Sequence, residues 1–63
     1  MFNINHRVQL RVSKGPFGPE AKGNVVEKFN DGNLVVLIDE DENGKTVTPF
    51  PLPPSPESDF KKV

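Results

Sequence analysis

The stretch Gly23–Asp39, GNVVEKFNDGNLVVLID, restricts this chain more than any other, because it reads as a β-hairpin. Two runs rich in β-branched residues, Asn24–Phe29 and Leu34–Ile38, flank Asn30-Asp31-Gly32-Asn33. Asp-Gly is a strong hairpin signal, since a tight turn needs positive φ and glycine supplies it without a Cβ clash. Val and Ile are stiff at χ1 and suit a pleated surface. With Asp31-Gly32 as a two-residue turn, Phe29 faces Leu34, Glu27 faces Val36 and Val25 faces Ile38. A three-residue turn with a bulge changes those pairs, and both registers stay open. In either register the second arm is apolar on both faces. That pattern predicts a strand that bends through a small barrel and serves two orthogonal sheets in turn.

Upstream, His6–Ser13 alternates with period two: Val8, Leu10 and Val12 on one side, Arg7, Gln9 and Arg11 on the other. This predicts a half-buried strand, and Ile4 extends its register to the core edge. Lys14–Lys22, KGPFGPEAK, holds two Gly and two Pro around Phe17 and reads as a loop. Beyond the hairpin, Glu40–Lys45 is a polar connection that turns at Asn43-Gly44. Lys45–Phe50 is a further strand with Val47 inward, ended by Pro49. Proline bars Pro51–Pro56 from a central strand, so it should be extended or turn-like. Phe60 and Val63 are apolar in an otherwise charged tail, Glu57–Val63, which predicts a short docking segment.

A chain of 63 residues makes one domain, 1–63, with a core near the lower limit for independent folding. The absence of cysteine excludes disulfides and thiolate–metal staples. Met1–His6 has neither the basic start nor the apolar run of a signal peptide, and Leu34–Ile38, the longest apolar run, is too short to span a bilayer. A cytoplasmic protein without membrane insertion is expected. Charge is unevenly spread. Met1–Gly23 sets Arg7, Arg11, Lys14 and Lys22 against Glu20, a net of +3. Asn24–Thr48 sets Lys28 and Lys45 against Glu27, Asp31, Asp39, Glu40, Asp41 and Glu42, a net of −4. Either the two halves compensate each other on the folded surface, or they orient a charged partner.

Several chemistries can be weighed residue by residue. His6 is the only histidine, and Ser–His or Cys–His nucleophilic catalysis lacks its other parts. So small a fold also offers little room to enclose a substrate, so no enzymatic activity and no cofactor are expected. Asp39–Gly44 matches the D-x-D-x-N-G opening of a calcium loop, but the twelfth position is Phe50 where a bidentate Glu is required, and no metal site is expected. Pro51–Pro54 and Pro53–Pro56 both satisfy P-x-x-P; a structural crossover is favoured over a ligand role, because no Arg or Lys flanks the stretch closely. Without Tyr or Trp, the chain lacks the aromatic groove that would let it bind such peptides itself.

From end to end, the order of elements resembles the small SH3-like barrels, a superfamily that includes KOW-type modules and small peripheral subunits of photosynthetic electron-transfer complexes. The residues that carry the resemblance are Phe2, Ile4, Arg7, Val8, Gly23, Val25, Val26, Asp31, Gly32, Val35, Leu37, Ser58, Asp59, Phe60 and Val63. It implies an all-β fold, a five-stranded barrel with a Pro-rich connection at 49–56. Its last strand would be Phe60–Val63, reached through a turn at Ser55–Asp59. That fold hosts many unrelated functions. The expected function is therefore a non-enzymatic protein-binding module, an accessory subunit or adaptor, with a nucleic-acid or ribonucleoprotein contact module as the alternative. Arg7, Arg11, Lys14, Phe17 and Lys22 are the candidate binding residues. Phe17 is either a plug over the barrel end or an exposed anchor on a proline-stiffened loop.

Overall fold

The turn at the centre of the hairpin holds three residues, Asn30–Gly32. The Phe29 amide donates to the Asn33 carbonyl (2.9 Å) and the Gly32 amide to the Phe29 carbonyl (3.1 Å). Gly32 takes φ +93°, and the Asp31 carboxylate accepts the Asn33 amide at 3.0 Å. Asp and Gly thus supply the carboxylate acceptor and the left-handed residue that a short turn needs. The computed structural model describes residues 2–63; Met1 lies outside them.

Six strands run in order: β1 (Arg7–Leu10), β2 (Lys22–Lys28), β3 (Asn33–Glu40), β4 (Thr46–Pro51), β5 (Ser55–Pro56) and β6 (Phe60–Lys62). A 3-10 turn, Glu57–Asp59, leads directly into β6. All pairings are antiparallel, in the order β4-β3-β2-β1-β6, with β5 also on β3. Strand β3 is therefore bonded on both edges. One edge takes β2; the other takes β4 along Leu37–Glu40 and β5 along Asn33–Leu34.

The 3-10 turn forces the sheet to curl. In a flat sheet β5 and β6 would lie four strand spacings apart, roughly 19 Å. A three-residue 3-10 link covers roughly 6–8 Å. Both pairings coexist only because the sheet bends and brings its ends toward each other, although no ladder joins β6 to β4 or β5 among the described residues. The inner side of this curl carries the core: Phe2, Val8, Leu10, Phe17, Ala21, Val25, Leu34, Val36, Ile38, Leu52 and Phe60, with Val47 packed against it. Burying a side chain of this kind contributes about 1.5–3 kcal/mol, so each matters in a domain of this size.

Two bulges set the register. Val26 is extra in β2, so Val25 pairs with Val36 while Glu27 pairs with Val35 and Lys28 with Leu34. Neither the two-residue turn nor its pairs occur. Phe29 consequently stands opposite Asn33 on the outer side and is 41% exposed. Asp39 is extra in β3, since Gly23 pairs with Ile38 but Lys22 with Glu40. At this second bulge the backbones nearly touch: a Cβ on Gly23 would lie 2.2 Å from the Leu37 carbonyl oxygen and 2.8 Å from the Ile38 Cα.

Four further expectations need correction. Strand β1 stops at Leu10, where its partners Phe60 and Ala21 end the pairing, so Val12 falls in a bend and is exposed. Ile4 is exposed too, because Asn3–His6 forms a turn with Asn5 at φ +75° in place of an extended run; Phe2 fills the core edge instead. Strand β4 continues through Pro49 to Pro51: its irregular stretch Val47–Pro49 sits between the pairs Thr46–Glu40 and Phe50–Ile38, on a sheet edge where a missing amide donor is tolerated. In the tail Phe60 is buried against Leu10, but Val63 is exposed, tied only by its amide to the Arg7 carbonyl. Among the described residues the strands number six, so the count also differs from the five expected.

Gly23→Ala should be far more disruptive than Gly32→Ala. The first drives a methyl group into backbone and should lower stability by about 3 kcal/mol, the upper end for overpacking. The second meets nothing within 4 Å and carries only the strain of positive φ, about 1 kcal/mol. Urea unfolding of the two variants checks this; equal losses would contradict the close approach at Gly23.

Candidate functional site

The five candidate binding residues do not form one basic strip. Arg7 lies on the outer side of β1 opposite Asn24, and its guanidinium reaches over β2 to the bulge in β3. There it forms a bidentate pair with Asp39 (Nη2 to Oδ1 2.9 Å, Nη1 to Oδ2 3.2 Å), donates to the Asn24 side-chain oxygen (3.2 Å), and lies 3.6 Å from a Glu40 carboxylate oxygen. The bulge is what aims Asp39 at this position. Hydrogen bonding to Asp39 raises the Arg7 pKa further above its ordinary value, partly offset by burial. A raised value keeps this guanidinium charged, and on the alkaline side its contribution disappears only as pH rises through that range. With both side chains about one-third exposed, the pair is worth at most about 1 kcal/mol. Arg7 is a staple across three strands.

Around the other end of β1, Arg11 donates from Nε to the Phe60 carbonyl (3.0 Å), and its amide donates to the Asp59 carbonyl (2.8 Å). Lys14 pairs with the Asp59 carboxylate at 2.7 Å. These bonds fasten the 3-10 turn and the start of β6 to the first strand and its loop. Lys22 faces outward between Gln9 and Glu40 in the sheet register, and no acid lies within ion-pair distance of it among the described residues.

Phe17 is buried, with 8% exposure, so it is the plug and not the anchor. The loop folds back on itself through paired hydrogen bonds between Lys14 and Phe17 (2.9 and 3.0 Å), which turns the ring inward. There it meets Phe50 of β4 edge-on, with centroids 5.6 Å apart. The Gly18 amide next to it donates to the Glu42 carboxylate at 3.0 Å. The long loop is thereby fixed at two points, to β4 and to the β3–β4 connection.

That connection also shows what the acidic run does. Asp39 serves Arg7, Glu42 serves Gly18, and Asp41 accepts the Asn43 and Lys45 amides at 2.9 Å each while Gly44 takes φ +81°. Its carboxylates shape a hairpin turn and fasten a loop. No group of three or more potential metal-ligating side chains is gathered among the described residues. His6 accepts the Asn3 amide on Nδ1 at 3.1 Å and helps to hold the first turn.

The hairpin also leaves apolar side chains open to a partner. On its outer side, Val26 is 40% exposed at the bulge and Phe29 at the turn, while Val35 and Leu37 are half-buried. The candidate list missed this surface, although its signal was the apolar pattern on both faces of the second arm. No pocket opens among the described residues, and no helix is long and apolar enough to cross a membrane. Comparison with models of known protein families, with curated proteins and with solved structures finds no match to this chain.

Truncating Phe17 removes a core contact, so Phe17→Ala should lower stability by about 3 kcal/mol, the lower end for a buried Phe. Thermal and urea unfolding check this, with Phe50→Ala showing a smaller loss in the same direction. Unchanged stability in the Phe17 variant would contradict the plug.

Proposed function

We propose that the chain is a small SH3-like barrel that works as a non-enzymatic protein-binding module, an accessory subunit or adaptor. The curl imposed by the link between β5 and β6, the strand shared between β2 and the β4–β5 side, and the 3-10 turn before the last strand all support the barrel reading. The observation that carries the binding reading is the uncovered outer side of the β2–β3 hairpin. Val26, Phe29, Val35 and Leu37 stand on that side, with Glu27 among them opposite Val35, while Arg7 and Lys14 are ion-paired elsewhere. Exposed apolar side chains with a charge among them on a sheet face have the make-up of a protein contact, where apolar anchors hold and charges tune encounter.

The contact belongs to protein more than to nucleic acid. A phosphate binder gathers unpaired cations and stacking rings on one face. Here Arg7 and Lys14 are ion-paired and Phe17 is buried. Of the candidate residues Arg11 and Lys22 are left without an ion pair; among the other cations Lys61 stands across Gln9 from Lys22, with no aromatic ring between them.

The test is capture from a nuclease-treated native lysate by the full chain and by Val26→Asp. Val26 is exposed at a bulge, so the charge should leave the melting temperature within a few degrees while removing the captured protein. Retention of the same partner by the variant would place the contact elsewhere. Loss of all capture on nuclease treatment, with steep salt dependence, would favour nucleic acid.

A further inference from the structure

The Pro-rich connection between β4 and β6 is more than a crossover. Along Pro51–Pro56 burial follows a period of three: Leu52 and Ser55 are buried, and Pro51, Pro53, Pro54 and Pro56 are exposed. Pro51 ends β4 and Ser55–Pro56 form β5, but a continuous strand through the segment would alternate with period two. Period three is that of the polyproline II helix, which has three residues per turn and three ridges. Pro56 has φ −68° and ψ 153°, close to the ideal values of that helix. One ridge, Leu52 and Ser55, points into the protein. The other two, Pro51 with Pro54 and Pro53 with Pro56, point into solvent.

Fixed contacts hold the inward ridge. The Leu52 side chain is in the core, its amide donates to the Val36 carbonyl at 3.0 Å, and Ser55 pairs with Leu34 beside Pro56 with Asn33. The Ser55 hydroxyl donates to the Pro53 carbonyl at 2.8 Å, which satisfies the one buried polar side chain among the described residues. The backbone freedom that a loose proline-rich peptide loses on binding is already removed here by folding.

We propose that Pro51–Pro56 is a preformed polyproline II ligand, displayed for a partner protein whose groove is lined with aromatic side chains. Such grooves grip two ridges of a polyproline II segment and leave the third outside, and here the third is the one anchored in the fold. Charge narrows the partner. The four exposed prolines are uncharged, no Lys or Arg lies within the segment, and Glu57 follows Pro56 directly. A groove with an acidic rim meets no cation and one like charge, so the fitting groove has a neutral or basic rim. The inference rests on the protein-binding reading but uses a different surface from the hairpin patch around Val26.

The experiment titrates the isotopically labelled full chain with purified WW and SH3 domains, chosen to span neutral, basic and acidic groove rims. Shifts are expected with the neutral- or basic-rimmed grooves, centred on Phe50–Glu57. Pro53→Ala/Pro54→Ala removes one proline from each exposed ridge without touching the residues paired to β3, and should weaken binding at least tenfold while the rest of the spectrum is unchanged. Should the double variant fold poorly, either single substitution should weaken binding in the same direction. Shifts with no domain of the panel, shifts centred on the hairpin patch, or equal affinity for the proline variants would each overturn the proposal. Val26→Asp should bind the panel as well as the native chain does; its loss of lysate capture alone therefore reports on the hairpin surface, not on this one.

Discussion

Strand β3 is paired on both edges, and nearly everything else in the molecule follows from that. Leu34, Val36 and Ile38 on its inner side are fully buried, and they are met by residues from β1, β2, β6 and the connection after β4. On the β2 edge the two backbones approach closely where Gly23 passes the Leu37 carbonyl. Only a residue without a Cβ fits there, and Gly23 is that residue. The same point carries the Asp39 bulge, which increases local twist and turns a carboxylate toward Arg7. Twist, close approach and ion pair are one feature.

Compensation of charge is the second organising effect, and it bears on function. The basic first third and the acidic middle meet within the fold, at Arg7 with Asp39 and Glu40, and Lys14 pairs with Asp59 of the tail. These exposed or half-exposed pairs add little stability individually. Their effect is to take Arg7 and Lys14 out of the electrostatic docking strip that the sequence alone suggests. Two exposed apolar features stand beside the unpaired lysines: the side chains of Val26 and Phe29 on the hairpin, and the ridges of Pro51–Pro56. Proteins recognise such features through shape and desolvation more than through charge.

Local signals made much of this legible in the sequence. Asp31-Gly32 marked the turn, alternation marked Val8 and Leu10, and an apolar residue in a charged tail marked Phe60; each depends on neighbours a few positions away. The misplaced residues depend on distant ones. Whether Val12 is inside is decided by where β6 and the β2 approach stop pairing with β1, and Phe29 turns outward because of a bulge at Val26. Phe17 is a plug because Phe50, far along the chain, supplies an edge for its ring to meet. Which cations would be ion-paired was not legible, since a charge says nothing of its partner until the strands are in register. Proline patterning was read for what it forbids, and its period of three became visible only against the burial of Leu52 and Ser55.

Amide hydrogen exchange tests the central role of β3 most directly. Successive amides of a strand point to opposite edges, so a strand bonded on one edge protects every second amide and a strand bonded on both protects them all. The double pairing requires slow exchange at Leu34 and Ile38, which face the β5 and β4 edge, as well as at Val35 and Leu37, which face β2, together with a protected Leu52 amide bonded to Val36. Alternating fast and slow exchange along Leu34–Ile38, with Leu52 exchanging as fast as a loop, would mean that β4 and β5 do not hold that edge, and the curled sheet described here would not stand.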